Sequence, residues 1–213
     1  MPEHPPVTHS LSQLQDWMED HAPGVAFQPP ANPAAIDNFA QKSGLTLPDD
    51  LRQLLLAADG ETRKSAGAIG NWRLMPLAEI QAAWGWLTQL AAKGAFADRT
   101  PQPSPYLREA WWHPAWIPVV SSDTGDYFCL DTDPPEPGRF GQVLLYLAER
   151  PHRPLVAASL GAWLDCITHD LAAGVYAYDT VEGFDDQAFL RSSLEGKHLL
   201  DDIPGTLIVQ DEA

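Results

Sequence analysis

With 213 residues, 45% of them hydrophobic and 20% charged, the chain has the length and composition of a globular protein able to bury a core in one domain. Twenty-nine acids against thirteen bases give a formal charge of −16, which excludes nucleic acid and anionic lipid as partners over most of the surface and favours basic ones. No window has the length and apolarity of a membrane span, and Met1-Pro-Glu-His-Pro-Pro6 lacks the basic and apolar regions of a signal peptide. Cys129 and Cys166 are too few for a disulfide framework and suit a reducing compartment, so the expected location is cytoplasmic.

Leu11, Leu14, Trp17 and Met18 follow Ser10 at helical spacing, which predicts a short amphipathic helix capped by Ser10. Residues Ala22 to Pro33 hold four prolines and read as a connector. Asn32-Pro33 is a helix start, with Ile36, Phe39 and Ala40 as the buried stripe and Gly44 as the stop. Leu47 to Gly60 predicts the next helix, opened by Pro48, with Asp49 and Asp50 at its positive end and Gly60 as a left-handed stop. Asn71 to Met75 reads as a short strand. Leu77, Ile80, Trp84, Leu87 and Leu90 then form the stripe of a further amphipathic helix.

Thr100 to Pro105 is a Pro-rich break, and strand-like runs follow at Trp116–Val120, Asp126–Leu130 and Gln142–Leu147. Pro134-Pro-Glu-Pro-Gly138, between the last two, forbids regular pairing and predicts a protruding hairpin loop. Ser159 caps a closing helix that carries Leu160, Trp163, Leu164, Ile167 and Leu171 and stops at Gly174. Beyond Asp179 the expectation is a helix around Asp185 to Leu194 and a strand over Thr206 to Val209. From Asp165 onward there are eleven acids and two bases. Helices first, consecutive strands next and a helix afterwards predict an α+β fold with a mostly antiparallel sheet of about four to six strands. The chain divides into an N-terminal helix with its connector (1–31), an α+β domain (32–174) and an acidic extension packed on it (175–213).

The helix Leu47-Pro-x-x-Leu-x-x-Leu-Leu ending in Asp59-Gly60 resembles the N-terminal signature of the SUKH superfamily, Smi/Knr-like branch. Trp116-Ile-Pro-Val-Val120, Gly125-Asp-Tyr-Phe-Cys-Leu-Asp131 and Gly141-Gln-Val143 resemble that family's central strands, and the helix with Leu160 and Trp163 its closing helix. The resemblance covers roughly Asn32 to Gly174. It implies a compact α+β domain that works by binding other proteins. Bacterial members of this kind are immunity proteins that neutralise a toxin, and fungal ones regulate cell-wall assembly and signalling. No catalytic residue set comes with it.

Asp123, Asp126, Asp131 and Asp133 form the most site-like constellation. Three readings stand side by side: hairpin-turn chemistry at Asp123-Thr-Gly-Asp126, an acidic partner-facing patch, and a metal or hydrolytic centre, although the EF-hand spacing is absent. Glu136 extends the patch. Cys166 and His169, three residues apart on one helix, read as a buried thiol beside a helix-end imidazole rather than as a nucleophile and its base. The histidines show no His-x-x-x-His pairing, no Cys-x-x-Cys occurs, and neither a phosphate loop nor a nucleophile elbow is present. The tryptophans are assigned mainly to the core, with one of the adjacent Trp111 and Trp112 expected as an exposed aromatic anchor.

The function expected from the sequence is therefore a non-catalytic immunity protein that uses no cofactor and binds a protein partner, a basic toxin domain being the candidate that the charge suits. The alternatives are a regulatory scaffold for cell-wall assembly or signalling proteins and a metal-dependent hydrolase using the Asp123–Asp133 cluster.

Overall fold

The structure is a computed structural model that describes residues 5–22, 24–62, 67–69, 72–122, 124–180 and 188–192, the last five and 176–180 as backbone only. Helices α1 (Val7–His21), α2 (Pro33–Ser43) and α3 (Asp49–Ala57) come first. Strand β1 (Arg73–Leu74) and helix α4 (Leu77–Ala92) follow, then strands β2 (Trp116–Ser121), β3 (Tyr127–Asp131), β4 (Gln142–Tyr146) and β5 (Leu155–Ala157). Helix α5 (Leu160–Ala172) closes this series, and strands β6 (Tyr176–Thr180) and β7 (Ala188–Ser192) come last. The fold is α+β, as expected: five strands pair antiparallel in the order β1-β2-β3-β4-β5, and β6 and β7 form a separate antiparallel pair.

Alternation along the strands sends side chains to two faces. Ile117, Phe128, Leu130, Val143 and Leu145 join the main core, with Val156 from β5 and the buried stripes of α1, α2, α3 and α5. Trp116, Cys129, Leu144 and Tyr146 point the other way, into a second core closed by Leu87 of α4 and by Leu107, Trp111 and Trp112. Both faces of the sheet are therefore covered. Pro118 lies inside β2, where it removes a ladder donor, and the register shifts there between Pro118 and Val120, the bulge at which a proline is tolerated.

The Asn32 cap is real: its side chain accepts from the Ala34 N–H at 2.9 Å, Pro33 occupies the first helical position, and Gly44 (φ 71°) ends the helix. The Ser159 hydroxyl likewise accepts from the Ala162 N–H at 3.2 Å. Ser10 is not a cap. α1 starts one turn earlier, after Pro6, because its buried stripe begins at Val7, and Ser10 lies inside the helix and fully buried. Each apolar member of that stripe (Val7, Leu11, Leu14, Met18) contributes roughly 1.5–3 kcal/mol by leaving water.

Gly60 does not stop α3, which ends at Ala57 with Ala58 extended. Its positive φ of 66° serves a close approach instead: a Cβ there would stand 2.5 Å from the Met75 carbonyl carbon and the Pro76 nitrogen. The neighbouring Asp59 accepts the Leu77 N–H through Oδ1 at 2.6 Å, capping α4 from the end of the preceding loop. Glu61 is fully buried, and its carboxylate accepts from the backbone of Leu74 (2.8 Å) and Ala68 (3.0 Å). Asp59-Gly60-Glu61 thus fixes where β1 ends and α4 begins.

Two expectations for the tail meet different outcomes. Residues 188–192, expected within a helix, instead form β7, which pairs along its whole length with β6. Helical spacing in so short a stretch is overridden by the partner strand. The strand expected over Thr206 to Val209 and most of the acidic extension lie outside the described residues.

Candidate interaction surface

Among the described residues, the acidic ones singled out in the sequence do not converge. Asp126 is half-buried, and its Oδ1 accepts the Ala148 N–H at 2.8 Å across the hairpin, where Gly125 adopts φ 97°. This supports the turn reading for Asp126; Asp123 lies outside the described residues. Asp131 is fully buried at the end of β3, opposite Gln142 of β4. Its carboxylate accepts from the Asp133 N–H at 3.1 Å and from Gln142 Nε2 at 3.2 Å. Gln142 also donates to the Tyr106 carbonyl at 2.8 Å and accepts from the Arg139 N–H at 2.9 Å. Asp131 and Gln142 therefore tie three chain segments together. Burial pushes the Asp131 carboxyl above its ordinary range, with the hydrogen bonds from Asp133 and Gln142 pulling the other way.

Asp133 and Glu136 are exposed on the loop over residues 132–141, Asp133 in an ion pair with Arg108 at 3.1 Å. Arg139 is exposed on the same loop, so with Arg108 the two anions are accompanied by two cations. The loop is also held rather than free: Gly138 is closely packed, with its Cβ position 2.7 Å from the Tyr106 carbonyl oxygen and 2.8 Å from the Pro134 side chain. Among the described residues no group of three or more His, Cys, Asp or Glu could hold a metal ion. Cys166 and His169 show no mutual hydrogen bond among the described contacts, and burial raises the Cys166 thiol, which disfavours the thiolate.

Neither Trp111 nor Trp112 is an exposed anchor, contrary to expectation: 8% and 3% of their surfaces are accessible. The segment around them bends rather than extends, so adjacent side chains need not alternate, and both enter the second core. Trp112 packs edge-on against Tyr146 (5.2 Å) and Trp116 (6.1 Å) and donates to Thr88 Oγ1 at 3.3 Å. Trp111 lies between two guanidinium groups, Arg153 at 4.8 Å and Arg99 at 4.9 Å. Arg153 also sits 4.5 Å over Tyr146, and it donates to the carbonyls of Trp111, His152 and Arg150. Burial there pushes Tyr146 up to about 12 against the opposing Arg153 charge.

The exposed large hydrophobics among the described residues are Trp86 (61%), Phe140 (50%) and Leu56 (39%). The sequence reading placed the tryptophans mainly in the core and missed Trp86, although its position off the stripe of Leu77, Ile80, Trp84, Leu87 and Leu90 is a signal that could have found it. Phe140 neighbours Glu136 on the 132–141 loop. A shallow, open depression of about 610 Å³ lies at the start of α4, lined by Phe27, Gln28, Pro29, Asp59, Thr62, Pro76, Ala78 and Glu79.

These features define an α+β domain whose sheet is covered on both faces and whose buried Glu61, Asp131, Gln142 and Arg153 hold loops. Residues 30–166 match the model of the SMI1 / KNR4 family (SUKH-1), more than half of the chain, and the chain belongs to that family. It is 26% identical over 191 residues to a fission-yeast (Schizosaccharomyces pombe) protein named cell wall biosynthesis/cell cycle regulator smi1, covering 82% of this chain and 38% of that protein. It is 25% identical over 212 residues to a Neurospora crassa glucan synthesis regulatory protein, covering 81% and 40%. A shorter match, 26% over 77 residues, links it to the Saccharomyces cerevisiae cell wall assembly regulator SMI1, covering 36% and 15%. The chain thus spans about two fifths of the length of the first two relatives.

Proposed function

We propose that this chain is a non-catalytic protein-binding domain that regulates cell-wall assembly or the signalling that controls it. The observation that carries this reading is the match over four fifths of the chain to proteins named as regulators of wall and glucan synthesis. The geometry supports it. Asp59 caps α4, Asp126 anchors the segment at Ala148 and Asp133 pairs with Arg108, while Trp86 and Phe140 stand exposed as apolar contacts. Asp133, Glu136 and Phe140 on the tethered 132–141 loop are the contact residues this reading assigns. The test is to purify the tagged full chain from its own cells and to titrate each co-purifying protein against it. Several partners of moderate affinity, drawn from wall synthesis or signalling, are expected. Conversion of a bound small molecule by the purified chain would contradict the reading.

The immunity reading keeps one supporting observation, the formal charge of −16, which suits a basic toxin domain. The relatives' names favour the regulator. A single tight partner whose toxicity the chain abolishes would reverse that preference. The hydrolase reading finds no support among the described residues, because Asp131 is consumed by Gln142 and Asp133, and Asp126 by Ala148.

A further inference from the structure

In a chain of net charge −16, α4 carries no ionisable side chain from Ile80 to Ala92. Its exposed residues Ala78, Ala82 and Trp86 follow one another at four-residue steps, the ridge by which helices interlock. Trp86 projects from one end of this ridge, 61% exposed. At the other end Ala78 is part of the rim of the 610 Å³ depression, where Phe27, Pro29 and Pro76 supply apolar wall and Asp59 and Glu79 supply carboxylates. Eight residues of helix, about 12 Å, separate the projection from the hollow, with Ala82 midway.

We infer that this face docks a second copy of the chain, the two α4 helices crossing antiparallel about a two-fold axis at Ala82. That axis exchanges positions 78 and 86, so each Trp86 enters the depression of the other copy and one complementarity is satisfied twice. The small side chains of Ala78, Ala82 and Gly85 let the backbones approach. The seated indole N–H meets the carboxylates of Asp59 and Glu79, which already accept from the Leu77 N–H and from Arg73 and keep further lone pairs, while its ring stays on the apolar wall. The net charge of −16 opposes self-association as a whole; residues 80–92 of α4 add no like charge to the contact, and the Asp59 and Glu79 carboxylates lie at its two ends rather than at the axis. Phe140 and Leu56, the other exposed large hydrophobics among the described residues, share no element with the depression.

One face of a 16-residue helix makes a small interface, below about 1,200 Å² in total, the size class of weak and transient contacts, so the dimer is reversible. The inference does not depend on the regulatory reading. Sedimentation velocity on the full chain from roughly 1 to 300 µM brackets the affinity of so small an interface. The wild type is expected to shift from monomer to dimer across that range. Trp86→Glu and Ala78→Glu stay monomeric throughout with unchanged circular dichroism, and Leu56→Glu, at an exposed apolar residue outside the ridge, dimerises like the wild type. In a Cys166→Ser background, Ala82→Cys forms a disulfide-linked dimer under mild oxidation and Gln89→Cys, away from the axis, does not. A wild type that remains monomeric throughout overturns the inference. So does a dimer that survives Trp86→Glu, or one that Leu56→Glu abolishes.

Discussion

The Asp50 carboxylate accepts the backbone N–H of Gly161 through Oδ2 at 2.9 Å, joining the first turn of α3 to the first turn of α5 across 111 residues of sequence. A carboxylate at this place complements the positive ends of two helices at once. Asp50→Ala should lower stability by about 1–2 kcal/mol in urea unfolding. Asp50→Asn, which keeps an acceptor oxygen, should lose less. Equal losses in the two variants would show that the bond to Gly161 is not what Asp50 contributes.

Gly60 offers a sharper contrast. With φ 66° and backbone atoms 2.5 Å from the position of a Cβ, Gly60→Ala combines backbone strain with a clash against β1 and the start of α4. A loss of about 3 kcal/mol or more is expected. Gly44→Ala has the same sign of φ but nothing within 4 Å, and should cost only about 1 kcal/mol. Thermal unfolding of the pair measures the difference, and similar melting temperatures would contradict the role assigned to Gly60.

Arg153 is 4% exposed, stacked between Trp111 and Tyr146, and bonded to three backbone carbonyls. Lysine keeps the charge but not the planar fork. Arg153→Lys should therefore destabilise by about 2 kcal/mol or more and change the near-ultraviolet dichroism of the second core. A neutral outcome in denaturant titration would mean that the stacking contributes nothing.

Asp131 predicts a pH dependence with a definite sign. Its carboxyl is held above the ordinary value of 3.8, so the folded state binds the proton more tightly than the unfolded chain does. The contribution of this group to stability is therefore greatest at acid pH. It falls as pH rises from the unfolded value through the raised folded one, and is constant above that. Wild type minus Asp131→Asn should thus become more favourable as pH drops through this window, with other carboxylates cancelling in the difference. Unfolding of both proteins from neutral pH to pH 4 measures it, and a difference that moves in the opposite direction would contradict the burial argument.

The elements with local chemistry were legible in the sequence. Asn32-Pro33, Ser159 and the runs at Trp116, Asp126 and Gln142 carry their own caps or β-branched and aromatic content, and each forms the expected element within a few residues. Features set by distant partners were not. β5 is three residues long and exists because Val143 and Leu144 pair with it. β7 looked helical until β6 stood beside it. Trp111 and Trp112 were misjudged because their burial depends on the reverse face of the sheet and on Arg153, 42 residues later in the chain. Asp131 was marked as a candidate from its place in an acidic cluster, but only its pairing with Gln142 reveals an internal tie.

The central claim is that this chain regulates wall assembly by binding. The most direct measurement is the wall-polymer content of cells lacking the chain, together with their lysis by wall-digesting enzymes. The account predicts altered polymer content and faster lysis, both restored by the intact chain. Unchanged polymer content and lysis in the deletion strain, with killing by sibling cells as its only defect, would contradict it and leave immunity as the function.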